Sequence, residues 1–307
     1  MCDITDPIFT NADKAREHLE SIRWPDGAVC PHCKAADNRK LVGKSHRPGL
    51  YQCNHCRQQF SVTVGTVFER SKVPLNKWLL AVHLMAASKK GMSAHQLHRM
   101  LGVTYKTAWF MAHRIREAMT EGMFTPMGGD GDIVEVDETF IGHDKTKKPK
   151  GVKKGRGYQH KYKVLTLVER QGRARSFHVD EVNAKTIVPI LRQEIDRKSH
   201  IMTDEAGQYK HLKGDFGNHD FVRHGQGEYG RGPIHTNTIE GYFSIFKRGM
   251  KGVYQHCAKH HLHRYLAEFD FRYNGRDITD VERRDEALRS ISGKRLTYRR
   301  INETAYA

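Results

Sequence analysis

The 307-residue chain lacks any apolar run approaching the roughly 20 residues that cross a bilayer. It also lacks a secretory leader pattern: Met1 to Glu20 carries Asp3, Asp6, Asp13 and Glu17 and no apolar core. A cytosolic protein is therefore expected, and structural disulfides are rare there. Cysteine is scarce, six in all, yet four of the six fall into two close pairs that need another explanation. Acidic residues are in deficit, with 35 Asp plus Glu against 52 Lys plus Arg and a formal net charge of +17. Such a surplus favours a polyanionic partner, nucleic acid first, although charge alone does not separate DNA from RNA or from an acidic membrane. There is no convincing internal repeat and no long low-complexity segment.

The composition shifts along the chain instead. Residues 1–70 hold the paired cysteines, short β-like runs and a short N-terminal helix. Residues 71–123 read as helices. Residues 124–280 alternate strand and helix patterns, and 281–307 form a basic tail. The turn-rich stretch Phe124–Asp132 (FTPMGGDGD) is the linker.

Cys30 and Cys33 (CPHC) and Cys53 and Cys56 (CNHC) share the two-residue spacing of metal knuckles. Each pair can present two thiolates on one turn, and the two turns together complete a tetrahedral zinc site. Four free cysteines or a redox pair are the alternatives. The aromatic and β-branched runs LYQC and QQFSVTVGTVF suit short ribbon strands, and so small a domain needs a metal staple. Cys2 and Cys257 have no partner spacing and read as ordinary thiols.

Leu75, Trp78, Leu79, Val82 and Ala86 recur at helical spacing behind Pro74. Ser93 and Gln96 resemble a capping box opening a second helix that runs through Met100, and Gly102 breaks it. Thr104 caps a third helix whose buried stripe is Ala108, Met111, Ala112, Ile115 and Met119. This pattern predicts a helix-turn-helix. On its third helix Tyr105, Lys106, Thr107, His113, Arg114 and Arg116 are placed on the solvent side, and Tyr105, Lys106, Thr107 and Arg114 are the DNA-contact candidates. A structural three-helix bundle with a solvated basic face is the alternative.

Asp132–Gly142 (DIVEVDETFIG) reads as a strand with Val134 and Val136 on one face and Glu135 and Asp137 on the other. Tyr162–Glu169 and Arg173–Val179 follow as strands. A helical stripe of Ile187, Val188, Leu191 and Ile195 comes next, then the strand His200–Asp204 ending in an acid. Pro233–Lys251 is a later helix carrying Asn237, Glu240 and Lys247. Three strands, helix, strand and later helix is the order of a ribonuclease H-like fold. The run Lys145–Arg156, which includes Lys147 and Lys148, forms a basic loop between the first two strands and is a phosphate-contact candidate. Leu262, Tyr265, Leu266 and Phe269 make the His-rich stretch after His256 the start of a packing helix rather than a second metal site.

The ordered set CPHC…CNHC, VDETFIG, TDEAGQY, HTNTIEGYFSIFKRG and HRYLAEFDFRYNGR resembles the bacterial insertion-sequence transposases of the zinc-ribbon DDE type, over roughly residues 20–276. The resemblance implies three parts: a zinc ribbon, a helix-turn-helix and an α/β ribonuclease H-like catalytic domain. It implies cleavage and strand transfer at terminal inverted repeats, with double-stranded DNA (element ends and target) as partner. The family also implies a homo-oligomer, at least a dimer when two ends are synapsed, in the bacterial cytoplasm at the nucleoid. Asp137 matches the first catalytic carboxylate and Asp204 the second. The third is Glu240 or Asn237, with Lys247 on the same helix face. Hard divalent ions take oxygen ligands, so two Mg2+ (or Mn2+) ions are implied at Asp137, Asp204 and Glu240, beside one structural Zn2+. Glu135, Glu138 and Glu205 are left in supporting roles.

Overall fold

The computed structural model describes residues 3–122, 125–143, 158, 160–210, 212, 214–228 and 230–297. The chain forms two compact units. One comprises Met1–Ser88, Met92–Thr120 and Asp277–Ala307, and the other Lys89–Gly91 and Glu121–Arg276. Among the described residues, no helix is long and apolar enough to cross a membrane.

The first unit opens with α1 (Pro7–Thr10) and α2 (Ala12–Arg23). Asn11 caps α2 by accepting from the amides of Asp13 and Lys14. Strands β1 (Asn38–Leu41), β2 (Leu50–Cys53) and β3 (Gln59–Phe60) form an antiparallel sheet in that order. Its core is small and aromatic: Trp24 meets Tyr51 and Phe60 edge-on at 5.5 and 5.8 Å.

Helix α3 (Leu75–Ala87) buries Trp78, Leu79, Val82 and Ala86 of the five residues its periodicity selects, and leaves Leu75 half-buried. In α4 (Ala94–Leu101) Ser93 accepts from the Gln96 amide at 3.2 Å. Gly102 ends the helix in the left-handed region, φ 59°, where a side chain would be strained. Thr104 then caps α5 (Tyr105–Ala118) through the Thr107 amide.

On α5 the structure corrects the expectation for Arg114. Tyr105 and Lys106 are exposed and Thr107 half-exposed, but His113, Arg114 and Arg116 are buried. Arg114 donates through Nη2 to the Glu69 carbonyl at 2.6 Å, and its guanidinium lies over the rings of Trp78 and Phe110. A cation can be buried on such terms, because a carbonyl and two ring faces replace its water. Arg114 is therefore a packing residue in this fold and not an exposed DNA contact.

The unit is completed from the far end of the sequence. The start of the expected basic tail is helix α9 (Asp280–Arg289), opened by a full capping box between Thr279 and Glu282. It buries Arg284, Ala287 and Leu288, and Arg283 donates to the Ala86 carbonyl at 3.0 Å. The TDVE start and the apolar pair Ala287–Leu288 are the helix signals beneath the basic composition.

The second unit is built on a five-stranded sheet of order β6-β5-β4-β7-β8. The strands are β4 (Ile133–Ile141), β5 (Tyr162–Glu169), β6 (Ala174–Val179), β7 (His200–Thr203) and β8 (Asn218–Phe221). The first three pair antiparallel, while β7 and β8 run parallel to β4. The expected order of three strands, helix and strand is present. β8 (NHDF) is an addition that its polar edge-strand sequence does not announce.

Both sheet faces are covered. Val134, Val136, Leu165 and Leu167 pack with Ile187 and Leu191 of α6 (Ala184–Glu194). On the other face Val164 and Val168 pack with Ile239, Phe243 and Phe246 of α7 (Asn237–Gly249) and with Leu266 and Phe269 of α8 (Leu262–Asn274). Gly249 closes α7 where a Cβ would stand 2.5 Å from both the Lys90 carbonyl and the Phe269 ring, so any larger residue would force these elements apart.

Candidate functional site

Each cysteine pair sits on a tight turn. The amide after each pair, at Lys34 and Arg57, donates back to the carbonyl of Cys30 and Cys53, and both residues take positive φ. These two matching knuckles bring the four sulfurs within 4.8 Å of one another. Cys30–Cys56 and Cys33–Cys53 are 3.6 and 3.5 Å apart. A tetrahedral zinc with bonds of about 2.3 Å needs sulfurs about 3.8 Å apart, so the donor set fits a structural zinc. Among the described residues it is the one group of three or more His, Cys, Asp or Glu side chains gathered this closely.

The second constellation is acidic. Period-two alternation on β4 sends Val134 and Val136 into the α6 side of the sheet. Asp137 on β4 and Asp204 just past β7 lie close enough for the Asp204 charge to act on Asp137, because β7 pairs directly with β4. Burial first, then the like charges of Glu138 and Asp204, push the Asp137 carboxyl up to about 8, against the Glu138 amide and Lys247, which lower it. The Glu138 amide donates to Asp137 Oδ1 at 2.7 Å. Burial also pushes Glu138 up to about 7, although Tyr209 Oη donates to it at 2.5 Å and Gln208 Nε2 at 3.2 Å.

Asp137 thus lies within electrostatic reach of Asp204, Glu138 and Lys247, with Glu138 turned to the opposite face of β4 by the period of two, where Tyr209 holds it. Asn237 and Glu240 stand on the first turn of α7, and both are exposed. Glu240 Oε1 lies 3.4 Å from Thr236 Oγ1 and 3.8 Å from His224 Nε2. Among the described residues no hydrogen bond or ion pair joins Asn237 or Glu240 to Asp137 or Asp204. Sequence reasoning left Glu138 in a supporting role and missed Tyr209, Gln208 and His224. The first two stand in the TDEAGQY motif, where proximity to Asp204 was the available signal; His224 has no signal of spacing.

Of the DNA-contact candidates, Tyr105, Lys106 and Thr107 open α5, with the Tyr105 ring stacked on His95 at 4.3 Å. Lys147 and Lys148 lie outside the described residues.

Comparison with known proteins bears on both constellations. Residues 129–274 match the family described as ISXO2-like transposase domain, and residues 10–59 match the transposase zinc-ribbon domain. A protein described as an uncharacterized protein in transposable element ISH50, from Halobacterium salinarum, is 30% identical over 278 residues, covering 86% of this chain and 91% of the relative. Among solved structures, a chain of the simian T-cell lymphotropic virus intasome in complex with PP2A regulatory subunit B56 gamma is 15% identical with a TM-score of 0.29, over 57% of this chain and 63% of that chain, less than two thirds of its length. A chain of the Mos1 strand transfer complex is 13% identical with a TM-score of 0.26, over 68% and 73%.

Proposed function

The chain belongs to the ISXO2-like transposase family, with its zinc ribbon, and on that premise we propose that it binds the terminal inverted repeats of an insertion sequence and both cuts and joins DNA there. One observation carries the reading. Asp137 on β4 stands near Asp204, just past the parallel neighbour β7, and burial first, then the like charges of Glu138 and Asp204, raises its carboxyl to about 8. Such crowding is costly for the protein alone, and an all-oxygen set of this kind suits hard divalent cations, Mg2+ or Mn2+. When bound, two such ions supply an activated oxygen nucleophile, a stabilised leaving oxygen and neutralised phosphate charge. Asp137 and Asp204, with Glu240 or Asn237, would hold them. Lys247, already near Asp137, would contact the phosphate under attack.

The remaining parts serve binding. The α4–turn–α5 pair acts as a helix-turn-helix, with Tyr105, Lys106 and Thr107 presented at the start of its second helix, where base edges are read. Lys147 and Lys148 add phosphate contacts, and the zinc ribbon stabilises the end-binding surface. Double-stranded DNA is the partner, and two ends held together require at least a dimer at the bacterial nucleoid.

The test is the full chain with Mg2+ and labelled element-end DNA, scored for cleaved and for joined products. Both products are expected. Cleavage without joining would make the protein a nuclease, and binding with neither product would make it a regulator.

A further inference from the structure

Helix α7 carries three of the residues given roles above, yet it has no cap of its own. The Thr236 side chain accepts from none of the first-turn amides; its hydroxyl reaches only the Glu240 carboxylate, at 3.4 Å. The first-turn amides of a helix need partners, and Ile239 is fully buried, so its amide has no access to water. The partner comes from the sheet. Glu135 Oε2 on β4 accepts from the Ile239 amide at 2.9 Å, and Oε1 accepts from Thr238 Oγ1 at 3.0 Å.

Glu135 is itself wholly buried, and Arg170 at the end of β5 answers its charge with Nε at 2.7 Å. The same guanidinium donates to the Pro233 and His235 carbonyls at 2.6 and 2.7 Å, on the short stretch that leads into α7. One carboxylate therefore ties down both the approach to α7 and its first turn. Its oxygens are committed to these donors, so Glu135 is not one of the acids available to a cation. It stands two residues before Asp137 on the same strand, hence on the same side by the period of two. Glu240 follows directly on Ile239, and Asn237 opens the same turn.

We infer that Glu135 is a positioning residue: by capping α7 from β4 it sets where Asn237, Glu240 and Lys247 stand relative to Asp137. The inference rests on the proposed function for its catalytic consequence, while the clamp itself is a property of the metal-free chain. A carboxylate is required. It complements the positive end of the helix, accepts from both first-turn donors and neutralises Arg170 together. An amide in its place would turn an N–H2 toward one of those donors.

The test uses the full chain as Glu135→Gln and as Thr238→Val, which removes one clamp donor and leaves the buried ion pair intact. In metal-free protein, amide exchange across 238–241 is expected to rise about tenfold in Glu135→Gln and a few-fold in Thr238→Val, with β4 to β6 protection and DNA-end Kd unchanged. With Mg2+ the cleavage rate constant should fall about 100-fold in Glu135→Gln at unchanged KM for DNA, since a misplacement of about 1 Å costs that much. Thr238→Val should fall between it and wild type, and it carries the test if Glu135→Gln does not fold. Unchanged exchange in α7, or exchange raised equally through the sheet, overturns the clamp. A loosened α7 with wild-type cleavage overturns the positioning role alone. Wild-type protein that cuts no DNA sinks the proposed function, and the exchange measurements still decide the clamp.

Discussion

The sulfurs of Cys33 and Cys53 stand 3.5 Å apart across 20 positions of sequence, and those of Cys30 and Cys56 stand at 3.6 Å. The ribbon's own core is the small cluster of Trp24, Tyr51 and Phe60, so a bound zinc is expected to supply much of its stability. One zinc per chain is expected by elemental analysis. Cys53→Ser should lose the zinc and unfold the ribbon, because apparent zinc-binding energies of about 10–16 kcal/mol are folding energies in such domains. Near-ultraviolet signals from Trp24 and Tyr51 should collapse while the five-stranded sheet stays folded. Purified protein without zinc, or with a disulfide between these cysteines, would reject the site.

Arg114 and Lys106 share one helix and should behave oppositely. Arg114→Ala removes a buried charge-assisted hydrogen bond and two ring contacts, so a loss of about 2–3 kcal/mol in unfolding free energy is expected. The fraction that remains folded should bind element ends normally. Lys106→Ala should leave the melting curve in place and weaken specific end binding about tenfold, more than non-specific binding. Equal loss on specific and random DNA would demote Lys106 to a phosphate contact.

The acidic site makes stability fall with pH when no metal is present. Folding raises Asp137 to about 8 and Glu138 to about 7. Between the unfolded carboxyl pKa near 4 and these values the folded state holds more protons, so its advantage is full below about pH 4 and lost as pH climbs through 7 and 8. Asp137→Asn removes the larger cost. Its second unit should melt on the order of 5 °C higher than wild type at pH 8.5 without metal, and nearly alike at pH 4. At the proposed metal site Mg2+ would displace the same protons, so its affinity measured by calorimetry should rise between pH 6.5 and 8.5. A pH-independent affinity would mean that Asp137 is already ionised in the metal-free protein.

How much of this was legible depends on how local each cause is. The knuckles were readable because spacing alone dictates a turn that converges two sulfurs. The β4 alternation was readable because α6 buries one face and α7 the other, leaving Val134 and Val136 no choice of side. Strand β8 was not, since an edge strand reading NHDF needs only backbone pairing to β7. The burial of Arg114 depends on a carbonyl 45 positions away, and the capping of α7 by Glu135 on a contact across 104. No window of sequence contains such pairs. The α9 helix was hidden by its charge, although Thr279 and Glu282 announced it.

On the proposed two-metal reading, the first turn of α7 supplies the third ligand. Asn237 and Glu240 lie three positions apart, one helical turn, and both side chains are exposed. Among the described residues the Glu240 carboxylate is held only by the weak 3.4 Å contact from Thr236 and by His224 at 3.8 Å, so on the proposed reading it is free to turn toward a cation at Asp137. An ionised carboxylate also offers a hard divalent ion more than a neutral amide does. Asp137→Ala and Asp204→Ala should each abolish cleavage and joining with end binding intact, and the double variant should be no worse, because groups acting as a unit are non-additive. Glu240→Ala should then eliminate activity, while Asn237→Ala leaves a measurable remainder that Mn2+ raises. The reverse order, Asn237→Ala inactive and Glu240→Ala active, would move the ligand to Asn237 and leave Glu240 to hold His224. Full activity after loss of Asp137 or Asp204 would sink the two-metal mechanism itself.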